Sequence, residues 1–281
     1  MSSQAPELPT VNPWVLAGFR WIARRHLQRH FHCVAVNSEE LKSVAASPAD
    51  RFVIYANHAS WWDPLLAIFL AQRIFPDLVL YAPIDAVALR KYRIFSKIGF
   101  FPVERGSLAG ARAFLNASKK ILSRPGASLW LTPEGRFTDV RDTESELASG
   151  LAHIISTWNH LSCSCSDSGD APIRFWAIAA AVEYVFWEER KPEVLVRLSR
   201  PVMISDGVFR TKDAWSRLLK RQLLDVQRQL AESSIARDAA AFERLLGGSS
   251  GTSFAYDAWR RLAALWRGQR FEVEHGDKFR Q

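Results

Sequence analysis

His58 and Asp63 lie five positions apart in the stretch Asn57-His58-Ala59-Ser60-Trp61-Trp62-Asp63-Pro64. A histidine and a carboxylate at this separation can work as one unit. The imidazole takes a proton while the carboxylate fixes its tautomer and stabilises its charged form. The apolar run Phe52-Val53-Ile54-Tyr55-Ala56 leads into the stretch, and Leu65-Leu66-Ala67-Ile68-Phe69-Leu70 leads out of it. The first reads as a strand and the second as a helix. His58 then falls at a strand end and Asp63 at a helix start, the usual place for chemistry in an α/β fold. The same residues also admit a plainer reading. Asp63-Pro64 is an ordinary helix start, with Asp at the N-cap and Pro at the first helical position, and a lone histidine is more often a core residue than a catalyst.

Two later segments add to the pair. Phe101-Pro102-Val103-Glu104-Arg105-Gly106-Ser107 puts Arg105 just before a helix that begins near Ser107. The free N–H groups of a helix start and a guanidinium together attract an anion. Leu131-Thr132-Pro133-Glu134-Gly135-Arg136 follows the apolar strand Ser128-Leu129-Trp130-Leu131. Its Pro and Gly make a turn from which Glu134 and Arg136 project. Glu134 can accept hydrogen bonds from acceptor hydroxyls, and Arg136 can hold a phosphate. Taken singly, these are an exposed Arg before a Ser cap and a plain strand-ending turn.

The three blocks, H-x4-D, F-P-V-E-R-G and P-E-G-R, stand in this order at these separations. The arrangement resembles the glycerolipid acyltransferase superfamily, whose best-known members are the 1-acylglycerol-3-phosphate acyltransferases. The resemblance covers roughly residues 40–205. It implies an O-acyltransferase in which His58 is the general base on an acceptor hydroxyl and Asp63 orients it. Arg105 would hold an acceptor phosphate, with Glu134, Gly135 and Arg136 completing the acceptor site. The acyl donor would be a thioester of coenzyme A or of acyl carrier protein, serving as co-substrate, with no cofactor and no metal. A base without a neighbouring Ser or Cys nucleophile suits direct transfer without an acyl-enzyme, and Ser60 reads as a turn residue.

Two stretches depart from the family pattern. Its fourth block carries a Pro in an apolar strand, whereas Trp176-Ala177-Ile178-Ala179-Ala180-Ala181-Val182-Glu183-Tyr184 has none. Arg136-Phe137-Thr138-Asp139 stands where many relatives have Thr-Arg-Ser. The acceptor therefore stays open between a lysophospholipid or glycerolipid and another lipid, such as a glycosylated carotenoid.

These blocks need a scaffold. Strands are expected at Phe52–Ala56, Leu78–Ala82, Ser128–Leu131, Phe175–Phe186 and Val194–Leu198. Helices are expected at Pro13–Phe31, after Ser107, at Ser145–Asn159 and at Thr211–Glu232. The alternation predicts an α/β domain over residues 33–246, with a mixed, largely parallel sheet flanked by helices. Amphipathic helices are expected at both ends. In the segment 1–32, Val15, Leu16, Phe19, Ile22, Ala23 and Leu27 share one side, into which Arg20 and His26 intrude. In the segment 254–281, Ala255, Trp259, Leu262 and Trp266 form one arc beyond a linker at Gly247-Gly248-Ser249-Ser250-Gly251. For both helices, contact with an anionic membrane stands beside packing on the core.

Composition sets the bounds. The 281 residues are 48% hydrophobic and 23% charged, which excludes a disordered chain. A net charge of +8 and a pI of about 9.7 favour an anionic partner or surface. The 11 tryptophans, several beside Arg, suit a membrane interface. Basic residues are spread along the chain rather than gathered on one stripe, which makes nucleic acid an unlikely partner, although a non-catalytic basic lipid- or nucleic-acid-binding protein remains the rival class. Three cysteines, Cys33, Cys163 and Cys165, fit neither a disulfide framework nor a zinc site. No secretory signal and no spanning run is visible, so the chain reads as cytosolic, or as a peripheral protein bound to the cytoplasmic face of a membrane without spanning it.

Overall fold

The computed structural model describes residues 8–43, 47, 50–162, 174–204, 211–248 and 279. In chain order the elements are α1 (Pro13–His30), β1 (Cys33–Asn37), β2 (Arg51–Ala56), α2 (Asp63–Ile74), β3 (Val79–Asp85), α3 (Ala86–Lys91) and β4 (Phe100–Val103). They continue with α4 (Leu108–Leu122), β5 (Ala127–Leu131), α5 (Gly150–Ser162), β6 (Phe175–Val185), β7 (Glu193–Leu198), β8 (Val202–Ile204), α6 (Lys212–Ile235) and β9 (Glu243–Gly247). Short 3₁₀ turns join some of these.

The strands form one sheet in the order β4-β3-β5-β2-β6-β7-β1-β9, with β8 paired to β6. β2 is central, parallel to both β5 and β6, and β3 is parallel to β5 and β4. Antiparallel pairs β6–β7, β6–β8 and β1–β9 make the sheet mixed, as the alternation of elements predicts. β2 reads as a continuous apolar run because both of its faces are covered. Val53 and Tyr55 face a core closed by α4, α5 and α6. Phe52 and Ile54 face the opposite core, closed by α1 and α2. Tyr55 ties the sheet to α6, its buried hydroxyl 2.7 Å from Gln222 Oε1.

Three expectations shift. Residues 145–149 are coil, and α5 begins only at Gly150. Pro133 O accepts from Ala148 N at 2.7 Å, which draws this segment into a loop against the third block. Ile22 is exposed on α1, whereas Ala23 and Leu27 are fully buried and Val15, Leu16 and Phe19 pack beside them. Gly247 is not part of a linker; it ends β9 opposite Cys33 of β1. The proposed helix at 254–270, most of the linker, and Cys163 and Cys165 lie outside the described residues. Among the described residues, no helix is long and apolar enough to cross a membrane.

β7 opens with a buried acid. Glu193 is 2% exposed, and its Oε2 accepts from Trp187 N at 3.1 Å. Burial pushes its carboxyl up to about 7 from an ordinary 4.5. The folded state therefore holds this proton more tightly than the unfolded chain. Its contribution to stability is full below pH 4.5 and is lost as pH rises through about 7. Urea unfolding of wild type and Glu193→Gln at pH 5 and pH 8 checks this. Wild type should lose on the order of 2–3 kcal/mol more than the variant over that interval. Equal losses would contradict it.

Candidate functional site

The residues of the three blocks meet at the carboxyl ends of the parallel strands, the edge where open α/β sheets place their ligands. His58 follows β2, Arg105 follows β4, and Glu134 follows β5. Each leaves its strand in a turn that the local sequence dictates.

At the end of β2 the main chain turns away while Asn57 stays. Its buried side-chain amide donates to Val182 O at 3.0 Å and accepts from Val182 N at 2.8 Å. The amide thus takes the place of a peptide group in the β2–β6 ladder. It satisfies the strand end and frees the backbone to turn at His58. The next turn brings Asp63 back under the imidazole, with His58 Nδ1 2.7 Å from Asp63 Oδ2. An ionised carboxylate only accepts, so the hydrogen belongs on Nδ1 and Nε2 keeps its lone pair. Nε2 has no hydrogen-bond partner among the described residues.

Asp63 is the first residue of α2, and Trp62 is the N-cap. Among the described residues, the Asp63 carboxylate makes no hydrogen bond to its own helix. It accepts from Ser60 N at 3.1 Å and from the Tyr184 hydroxyl at 2.7 Å, in addition to the imidazole. That geometry separates the two readings of Asp63-Pro64: Asp63 opens the helix without capping it, Pro64 sits in its first turn, and the carboxylate serves the histidine. The helix N-terminus also favours its negative charge. Tyr184 is held neutral, its hydroxyl pushed up by burial and then by the adjacent Asp63 charge and hydrogen bond.

Glu134 and Gly135 form the second wall. Gly135 adopts a left-handed backbone, φ 67°, as the tight turn after Pro133 requires. Glu134 Oε2 accepts from His58 N at 2.8 Å and from the Thr138 hydroxyl. Thr138 N in turn donates to His58 O at 2.9 Å. The third block is therefore clamped onto the first, and one Glu134 oxygen is committed to that clamp. Arg136 is exposed and donates to Ser145 Oγ at 3.1 Å. Phe137, 59% exposed, sits with its ring 4.3 Å from the His58 imidazole.

Arg105 is exposed, and its Nη1 donates to Gly135 O at 2.6 Å, joining the second block to the third. Behind it, Ser107 caps α4 by accepting from Gly110 N at 2.9 Å. Gly110 is needed here because a Cβ would collide with Glu104 O. Arg105, Gly106 and Ser107 stand at the edge of a mostly apolar cleft of ≈ 380 Å³ lined by Ile84, Val103, Phe114 and Leu131 among others. His58 and Asp63 do not line this cleft; Arg105 and Gly135 do.

The site contains residues that the three blocks do not mark. Tyr184 lies in the stretch that lacks the fourth-block Pro, near the end of β6, where it binds Asp63. A polar-tipped aromatic closing an otherwise apolar strand was the available signal. Asn57 carries the ordinary signal of a turn residue after a strand. The end of α1 supports the turn from outside. Trp62 packs on Phe31 and His30, with ring centroids at 5.1 and 4.9 Å.

Chemically, this is a base on a fixed tautomer, a carboxylate held by three donors, and a cation beside an apolar cleft. Among the described residues, no cluster of His, Cys, Asp and Glu could hold a metal ion. A family model described as Acyltransferase matches residues 23–174. A search of curated proteins found no match to the chain.

Replacing Asp63 by Asn tests the tautomer. In wild type, ¹⁵N spectra should show the neutral His58 ring protonated at Nδ1. Asp63→Asn allows the amide to donate instead, and the hydrogen should move to Nε2. An unchanged ring pattern would mean that Asp63 does not set the tautomer.

Proposed function

Because the chain belongs to the acyltransferase family, of the glycerolipid, 1-acylglycerol-3-phosphate acyltransferase type, we propose that it moves a fatty acyl group from a thioester to a hydroxyl of a lipid acceptor at a membrane surface. The observation that carries this is the His58–Asp63 pair, with Nδ1 engaged and Nε2 without a partner among the described residues. Nε2 removes the proton from the acceptor hydroxyl as its oxygen attacks the thioester carbonyl. The new C–O ester bond forms, the C–S bond breaks, and the leaving thiolate takes the proton from the imidazolium. Asp63 stabilises the imidazolium, and Tyr184 and Ser60 N hold Asp63 in place. Backbone N–H groups near the third block stabilise the oxyanion in this reading, those of Glu134 and Arg136, since Pro133 has none and Gly135 N donates to Thr132 O.

Arg105 binds the phosphate of a lysophospholipid-type acceptor. The cleft behind it takes an apolar chain, since it joins an apolar lining to one cationic edge. Gly135 holds Arg105 in place through its carbonyl, and Arg136 supplies a second cation. Glu134 shapes the acceptor site by fixing the first block against the third. The donor carrier is coenzyme A or acyl carrier protein, with no further cofactor, and the site of action is the cytoplasmic face of the membrane, which the protein binds peripherally. Phe137 beside the His58 ring gives the acceptor an aromatic surface, and it keeps open an acceptor other than a lysophospholipid, such as a glycosylated carotenoid.

The experiment is transfer of a labelled acyl group from acyl-coenzyme A and from acyl carrier protein to a total lipid extract. Wild type should label one lipid class. His58→Ala should lose about 10²- to 10⁴-fold in rate, the contribution of a general base. Tyr184→Phe should lose about 10-fold in kcat with little change in KM, since it removes one hydrogen bond to Asp63 and no substrate contact. Full transfer by His58→Ala would overturn the mechanism.

A further inference from the structure

On the outer side of α1, away from the His58 site, a second cavity of ≈ 310 Å³ lies between α1, α2 and β9. Arg20 and Arg24 of α1 and Arg73 of α2 line it, with Trp21, Gln72 and Leu246. Among the described residues, no carboxylate lines it. None of the three arginines forms a hydrogen bond or ion pair with another described residue. Arg20 is half-buried, and its Nε is fully shielded without a hydrogen-bond partner. A buried guanidinium N–H left unsatisfied is costly, and three like charges around one groove repel each other. Burial also holds the Arg20 guanidinium below its ordinary pKa. A bound anion relieves all of these costs together.

We propose that Arg20, Arg24 and Arg73 form a binding site for a phosphate group. Guanidinium forks match the geometry of phosphate oxygens, and Gln72 adds an amide donor. The neighbouring surface favours the phosphate of a lipid headgroup over a soluble one. Trp14 is 86% exposed and Trp21 63% exposed on the solvent face of α1, and Ile22 stands beside them. The Arg25 guanidinium lies 5.7 Å from the centre of the Trp21 ring. Exposed indoles flanked by arginines suit the headgroup region of a bilayer. The intrusion of Arg20 into the apolar side of the helix is explained by the same site. The groove touches neither His58 nor Asp63, so binding there can be read whether or not acyl transfer is found.

The test uses the full chain with two probes: vesicles of phosphatidylcholine with and without phosphatidylglycerol, and inorganic phosphate by calorimetry. Arg24→Ala/Arg73→Ala removes two exposed cations from the groove. Arg217→Ala/Arg221→Ala removes the same charge from α6, on the other face of the sheet. The groove variant should lose about 30-fold in affinity for the anionic vesicles, and the control pair about twofold or less. If inorganic phosphate binds, the groove variant abolishes that binding, and vesicles give no difference, the site stands with a soluble phosphate as its ligand. If groove and control variants behave alike with both probes, the site is refuted.

Discussion

The site depends on one side chain standing in for backbone. At the end of β2, Asn57 closes the ladder to Val182 with a pair of hydrogen bonds, and the main chain is released from the sheet without leaving buried groups unpaired. Without that substitution, β2 would either continue along β6 or expose an unsatisfied strand end in the interior. With it, His58 stands at the sheet edge, and the following turn returns Asp63 to its ring. β6 supplies both ends of this arrangement. Val182 receives Asn57, and Tyr184, two residues on and on the same face of the strand, reaches Asp63.

The three sequence blocks are bound to one another as well as brought near each other. Glu134 holds the backbone of His58, Thr138 returns a bond to the His58 carbonyl, and Arg105 reaches the Gly135 carbonyl. A displacement of one block is therefore transmitted to the others. The aromatic packing of Trp62 on Phe31 and His30 extends this dependence to α1. One helix thus buttresses the turn between His58 and Asp63 at its C-terminal end and presents Trp14, Trp21, Arg20 and Arg24 on its other faces.

Much of this was legible in the sequence because its signals are local. A strand run such as Phe52–Ala56 is covered on both faces and reads as a continuous apolar stretch. The Pro and Gly of the third block mark its turn wherever the chain goes. What the sequence hid is set by distant partners. Asp63-Pro64 looks the same whether the carboxylate caps a helix or serves His58, and the bonds of the carboxylate to His58, to Ser60 N and to the distant Tyr184 decide it. Ile22 belongs to the apolar side by periodicity, yet α2 and the sheet cover only the arc centred on Ala23. A helix is expected from Ser145, but Pro133 O captures the N–H of Ala148 and holds residues 145–149 as coil. β1 and β9 are short, and their pairing partners lie far from them in sequence.

The central claim is that His58 activates the acceptor hydroxyl directly, with no acyl group passing through the protein. Ser60 Oγ is the nearest alternative nucleophile in the block, and it lies 3.3 Å from Trp62 N, consistent with a turn residue. The most direct measurement is the intact mass of the enzyme, quenched within one turnover after mixing with acyl-thioester donor, with and without acceptor. Direct transfer predicts an unmodified mass in both samples and thioester cleavage that requires acceptor. An acylated protein that forms with donor alone and discharges when acceptor is added would contradict it.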